Sequence, residues 1–218
     1  MSGRDLSDLN KTEMFYSVDG KKWTLLTGIS NMNRIEYHDG VYISKSAGNR
    51  QTFRSTDGIN WTAIDILDGG TSCLCFHKGK WFAGKSGGTY CSADGGVTWQ
   101  QIADTKMREM VSSGEVAIGV LDGYNADNIR RSTDGGVTWE SCGITASLGT
   151  VHYLHGIWYV KSSSATYMSL DNGKSWIQLT LPEGYTSINK IHSDGVTLLV
   201  EARDKNYNNQ WFYAPMFE

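Results

Sequence analysis

Proline is nearly absent from this sequence: 218 residues carry two. That excludes proline-rich linkers and collagen-like segments. Long apolar runs are missing as well. No stretch approaches the 18 or so apolar residues of a membrane-spanning helix, and the first 30 residues are polar, without the apolar centre of a signal peptide. The expectation is a protein without a membrane span, made in the cytoplasm. A basic excess is lacking too. Lys and Arg number 20 against 23 Asp and Glu, a net charge of −3, so there is no overall electrostatic footprint for nucleic acid. No Cys-x-x-Cys and no Cys/His cluster with zinc spacing occurs among Cys73, Cys75, Cys91 and Cys142. Cys73 and Cys75 sit two apart on a predicted strand, face the same way and do not pair easily. Buried free thiols in a reducing compartment are expected. Gly-x-Ser-x-Gly, a phosphate-binding glycine loop and His-Glu-x-x-His are absent, so no motif of a serine hydrolase, nucleotide-binding or zinc-protease type is present. No metal and no cofactor is expected.

Glycine and aromatics, in contrast, are plentiful: 25 Gly, 8 Trp and 11 Tyr. They suit many short strands, tight turns and aromatic packing, in a chain of single-domain length. One stretch recurs. Arg131–Glu140 reads Arg-Ser-Thr-Asp-Gly-Gly-Val-Thr-Trp-Glu, and closely similar stretches lie at Ser92–Trp99 and Ser169–Trp176. Versions one residue shorter lie at Ser17–Trp23 and Ser55–Trp61. The five tryptophans at 23, 61, 99, 139 and 176 are spaced by 38, 38, 40 and 37 residues. A fixed period of this size means a propeller or a solenoid. Asp followed by Gly supplies the positive-φ positions of a short hairpin, and the carboxylate can accept hydrogen bonds from the turn's own amides. The Trp is large enough to anchor the hairpin against the next repeat. Each unit alone buries too little apolar surface, so units must stack.

The pattern Ser-x-Asp-x-Gly-x-x-Trp resembles the Asp-box, or bacterial neuraminidase repeat. The third, fourth and fifth copies match in full, and the first two lack one residue between Asp and Trp. The resemblance implies a β-propeller. It says little about function, since the family spans sialidases, other glycosidases, sorting receptors, assembly factors and phage tail components. In that family the box lies at the blade periphery, away from the active face. The resemblance therefore makes Asp19, Trp23, Asp57, Trp61, Asp94, Trp99, Asp134, Trp139, Asp171 and Trp176 structural.

A second recurring feature is the turn between two apolar strands, as in Tyr37-His38-Asp39-Gly40, Phe76-His77-Lys78-Gly79 and Leu154-His155-Gly156, with a looser copy at Ile191–Val196. Each full repeat then reads as a four-stranded antiparallel blade. Residues 1–12 read as an N-terminal arm and 13–218 as one propeller domain. Complete blades are expected over roughly 34–66, 72–103, 108–141 and 150–180. The front end holds an outer hairpin without inner strands, and the tail from Ile188 holds inner strands without a box. Joining them closes a ring of five blades and removes sheet edges. Because Trp211–Ala214 resembles Met14–Ser17, six units with two incomplete is the alternative.

The histidines at the turns, His38, His77, His155 and His192, occupy equivalent places in different blades and are held apart, so a shared metal is not expected. Trp81, Trp158 and Trp211, outside the boxes, read as core. The loops between second and third strands share one face with the blade-to-blade connections, and that is the expected ligand face. Lys45, Lys85 and Lys161 end the second strand in three blades and could ring the central opening; the other two blades carry long polar loops with Tyr124, Asn125, Tyr207 and Asn208. These seven are the candidate ligand-binding residues. A glycosidase needs two carboxyls ~5–10 Å apart across a cleft. The loop-face candidates Asp68, Asp104, Glu109, Asp122, Asp127, Glu183 and Asp204 are scattered. Sialidases of the resembled family also carry an early Arg-Ile-Pro, where this chain has Arg34-Ile35-Glu36. The expectation is a non-enzymatic binding or structural module, associated with a phage virion or tail, that contacts a glycan or protein partner, possible virion proteins included. Oligomers are allowed. A glycoside hydrolase and a protein assembly factor are the alternatives.

Overall fold

The turn chemistry dictates the strands. At three inner turns the pairs Asp39-Gly40, Lys78-Gly79 and His155-Gly156 all have positive φ, between 46° and 87°. This is the two-residue hairpin whose twist matches that of the flanking strands, and glycine at the second place carries the strain-free half of it. The computed structural model describes residues 13–27, 29, 32–46, 51–123, 127–144, 149–162 and 165–215. Within them the chain forms β1 (Met14–Tyr16), β2 (Thr24–Leu26), β3 (Met32–His38), β4 (Val41–Ser46), β5 (Thr52–Ser55), β6 (Thr62–Ala63), β7 (Thr71–His77), β8 (Lys80–Lys85), β9 (Gly88–Ser92), β10 (Gln100–Ala103) and β11 (Met107–Ser112). There follow β12 (Ala117–Leu121), β13 (Ile129–Ser132), β14 (Glu140–Ser141), β15 (Thr150–Leu154), β16 (Ile157–Lys161), β17 (Thr166–Ser169), β18 (Ile177–Gln178), β19 (Tyr185–Ser193), β20 (Thr197–Asp204) and β21 (Asn209–Pro215). A single turn of 3-10 helix, Asp65–Leu67, links β6 to β7.

Every sheet is an antiparallel meander. Four have four strands: blade 1 (β3–β6), blade 2 (β7–β10), blade 3 (β11–β14) and blade 4 (β15–β18). The hairpin β1–β2 precedes them and the three-stranded sheet β19–β21 follows. This is the all-β propeller architecture that the repeat implies. The joining of the two end pieces into one sheet, expected from the sequence, is not made by strand pairing among the described residues. β1 pairs with β2, and β21 lies along β20 from Thr197↔Pro215 to Arg203↔Asn209. Both are third strands of the blade pattern, so one four-stranded sheet cannot hold them both.

The core lies between blades. Ile43, Ile64 and Leu67 of blade 1 and its connection meet Leu74, Trp81 and Trp99 of blade 2. Cys75 and Phe82 of blade 2 meet Met107, Met110 and Ala117 of blade 3, with Trp139 against them. Ile118, Val120 and Ile129 of blade 3 meet Val151, Trp158 and Val160 of blade 4, with Trp176 alongside. Trp99, Trp139 and Trp176 therefore meet the preceding repeat, not the next one as first expected. The reason is the backbone of the box. Its glycine presses onto the blade before. A Cβ at Gly96 would stand 2.6 Å from Ile43, at Gly136 2.4 Å from Phe82, and at Gly173 2.7 Å from Ile118. No other residue fits there at positive φ.

Candidate functional site

The five boxes each bind one aspartate tightly into a hairpin turn. In the three long copies, the Ser hydroxyl donates to the Asp Oδ1 at 2.8–2.9 Å. That same Ser oxygen accepts the glycine amide four residues on. The Asp accepts two further backbone amides, those three and four residues on. A hydroxyl missed by the sequence reading completes the set: Thr98, Thr138 and Ser175 each donate to the second carboxylate oxygen at 2.6 Å. The short copies keep the same scheme one residue earlier, with Asp19 accepting from the amides of Lys21 and Lys22 and Asp57 from those of Ile59 and Asn60. Asn60 replaces the hydroxyl through its side-chain amide. The missing residue thus shortens the turn without changing its chemistry. Asp94, Asp134 and Asp171 are all held below the usual carboxylate range, first by the Thr98, Thr138 and Ser175 hydroxyls respectively; Asp171 is pulled down to about 2. Carboxylates so saturated with donors stabilise a turn and are poor proton-transfer groups.

On the loop face, Lys85 donates to the Ile66 carbonyl at 2.6 Å, reaching back to the connection from blade 1. Lys161 donates to the Asn189 carbonyl at 2.9 Å, reaching forward to β19. The two ammonium groups are thus committed to different neighbours. Lys45, at the end of β4, is half-buried. Tyr124 and Asn125 lie outside the described residues. Tyr207 is 80% exposed at the tip of the β20–β21 turn, with φ +67°. Asp204 caps that turn, accepting the Asn206 and Asn208 amides at 2.8 Å and the Asn208 side chain at 3.1 Å. Asn208 is therefore a turn-former, and Tyr207 is the side chain that the turn displays.

The loop-face carboxylates are mostly spoken for. Asp104 accepts from Gln101, Asp122 pairs with Lys106 at 2.9 Å, and Asp127 pairs with Arg130 at 2.9 Å and also accepts from Ser141. Two acids that stand differently are on the inner strands: Glu36 on β3 and Glu109 on β11, and burial pushes both carboxyls up. Arg34 stands 2.7 Å from Glu36 Oε1, close in distance though poorly aligned as a hydrogen bond, and its charge opposes the upward shift of both acids. One arginine thus acts on acids of two different blades. Sequence reasoning put Glu109 on the loop face and passed over Glu36. Polar residues alternating on an innermost strand were the signal available.

The histidines are not equivalent, contrary to expectation. His38 and His77 end their strands, paired with Val41 and Lys80, whereas His155 occupies the turn place held elsewhere by Asp39 and Lys78. His77 is buried, with Nδ1 2.8 Å from the Ser112 hydroxyl of blade 3. His38 stacks on Phe76 at 4.7 Å. Among the described residues no group of three His, Cys, Asp or Glu is gathered that could hold a metal, and all four cysteines are free. Trp81 and Trp158 are core, as expected, while Trp211 is 48% exposed. Trp211 alternates with Phe212, which packs inward onto blade 4. On the loop face a shallow cleft of about 230 Å³ opens between blade 4 and the last sheet, lined by Ser162, Leu179, Leu181, Tyr185 and Ser187 among others.

No family model matches the chain, and no curated protein matches it in sequence. Solved structures do match in fold. An ancestral GH74 enzyme aligns with a TM-score of 0.62 at 12% identity, covering 85% of this chain and 30% of its own. The GH74 enzyme of Niastella koreensis aligns with a TM-score of 0.57 at 16% identity, covering 94% and 36%. This chain thus spans about a third of the length of those enzymes. YCF48 bound to a D1 peptide aligns with a TM-score of 0.56 at 15% identity, covering 88% of this chain and 69% of that one. At these identities the likeness is one of fold, and the fold is the β-propeller.

Proposed function

We propose that this chain is a non-enzymatic binding module that holds a protein or glycan partner on its loop face. The observation that carries the reading is the commitment of four of that face's carboxylates: Asp104, Asp122, Asp127 and Asp204 each serve a turn or an ion pair. A glycosidase needs one carboxyl free to donate a proton and a second beside it. What the face offers instead is an exposed tyrosine on a capped turn, and loops of unequal length on a repeated scaffold. Such loops are where specificity is added. The propeller of YCF48 is seen with a peptide bound, which accords with a protein partner and with an assembly role. Incorporation into a phage virion or tail belongs to the same proposal and rests on the resemblance of the boxes.

A glycan array together with a hydrolysis screen on the purified chain tests this. Binding without turnover is expected. Tyr207→Ala should keep the fold and weaken the partner. The joint change of Lys45, Lys85 and Lys161 to Ala should weaken it in a manner that fades with salt. The second reading is a glycoside hydrolase, favoured by the raised Glu36 and Glu109. Turnover lost in Glu36→Gln or Glu109→Gln would replace the first reading with the second.

A further inference from the structure

Among the described residues, two sheet faces lack the neighbour that the faces between blades have. Between blades the seat is built one way. A box glycine presses on a second-strand side chain of the blade before, Ile43, Phe82 or Ile118. A cation of that earlier blade also holds a carbonyl of the box. Arg54 Nε lies 2.7 Å from the Gly95 oxygen, Lys78 Nζ 2.7 Å from that of Thr133, and Arg131 Nε 2.6 Å from that of Asn172.

The last sheet presents this kind of seat empty. Leu198, Val200 and Ala202 of β20 pack onto blade 4. Leu199, between them, points away and is 42% exposed. Its cross-strand partners are His192 and Tyr213, and Tyr213 is exposed. Lys190, on the same face, holds its ammonium 6.0 Å from the Trp211 ring. The face therefore has an apolar second-strand residue, aromatic flanks and a cation.

The hairpin β1–β2 presents the matching half. It carries the serine and backbone-amide hydrogen bonds of the box. Met14, Tyr16 and Leu26 pack forward onto blade 1. The opposite face, with Phe15 and its partner Leu25, is exposed, and so are Val18 and Trp23. Nothing stands within 4 Å of a Cβ built on Gly20. Contiguous exposed apolar faces of this sort mark interaction sites.

We infer that the chain binds a second copy of itself head to tail, with the Ser17–Trp23 hairpin of one molecule seated on the β19–β21 face of another. The occupant is a second copy because the interface continues, in chemistry and in order, the one already made three times within the chain. Among the described residues no strand pairing closes the ring within one molecule. Both faces are open together, and β21 fills the third-strand place that β1 would need. Such a contact is heterologous, so it closes into a ring or extends, according to the rotation it imposes.

Light scattering on the 218-residue chain across a dilution series tests this. The wild type should exceed the single-chain mass of 24.2 kDa, increasingly so with concentration. Trp23→Asp and Leu199→Asp should each associate at least ~10-fold more weakly, as expected for a buried anchor. Mixed in equal amounts, the two variants should form a pair and stop there, because the first keeps an intact seat and the second an intact hairpin. Both changes fall on exposed side chains, so circular dichroism should be unchanged. If either variant fails to fold, Phe15→Asp and Tyr213→Asp probe the same faces. A wild type that stays a single chain throughout, association untouched by the variants, or a mixture that does not pair would each overturn the inference.

Discussion

The hairpin at Ser17–Trp23 and the one at Ser92–Trp99 are made by the same local chemistry, yet they differ in packing. In both, a serine donates to the aspartate and the aspartate gathers backbone amides. Trp99 is 8% exposed and donates its indole N–H to the Gly96 carbonyl at 3.0 Å. Trp23 is 64% exposed. The difference is the blade before: Trp99 has Ile43, Ile64 and Leu67 to pack on, and Trp23 has none among the described residues. A box thus folds its own turn but does not bury its own tryptophan. Burial belongs to the junction, as it does in repeat proteins generally.

The largest effect that sharpens this contrast is at the tryptophans. Trp99→Ala should cost about 3–5 kcal/mol, the scale for a large aromatic removed from a packed site. Trp23→Ala, measured at high dilution, should stay within about 0.5 kcal/mol. Urea midpoints of the two variants check the pair. Next come the glycines. Gly20→Ala bears the left-handed backbone strain alone, about 1–2 kcal/mol. Gly136→Ala bears that strain and the collision with Phe82, which adds about 1–3 kcal/mol. Phe82→Leu in the Gly136→Ala background should recover part of the second figure and none of the first.

Much of this was legible in the sequence, and the legible part is local. Asp-Gly pairs set the hairpins, and the five tryptophans set the period. Both survive in the fold because turn geometry depends on a few adjacent residues. What was not legible depends on neighbours. Lys85 and Lys161 end equivalent strands but reach opposite ways, because each takes the nearest free carbonyl of a different segment. Trp211 alternates correctly and is still exposed, since no further sheet covers that face among the described residues. His155 slips by one place because its turn keeps two residues while its sequence lacks the extra strand-ending histidine. The charge of Arg34 acts on both Glu36 and Glu109, on strands of two different blades, across a separation that no spacing rule reveals.

The smallest effects are those of pH. Burial lowers the affinity of His77 and of His152 for a proton. Each is therefore protonated in the unfolded chain before it is in the folded one, and stability should fall as pH drops below their ordinary value near 6.5. Glu36 and Glu109 act the other way. Their folded carboxyls take up protons first, so stability regained as pH falls toward their raised values should partly offset the histidine loss. The boxes add a stabilisation that is present in full above the ordinary aspartate range and is lost as pH falls below it, with Asp171 pulled down to about 2. Melting temperature against pH should show a shallow decline on crossing pH ~6 and a steeper one below ~4. His77→Gln should flatten the first.

Hydrogen exchange at the box glycines tests the central claim most directly. The amides of Gly20, Gly96, Gly136 and Gly173 each donate to their own box serine at 2.8–2.9 Å. These amide hydrogen bonds are therefore alike, and the main difference is the blade before. At high dilution, peptides spanning 92–99, 132–139 and 169–176 should be protected at least ~100-fold more than the peptide spanning 17–23, because opening an interior box requires breaking a blade junction. Equal protection of all four would mean that the box is rigid by its own sequence, and the account of blade-dependent burial would be contradicted.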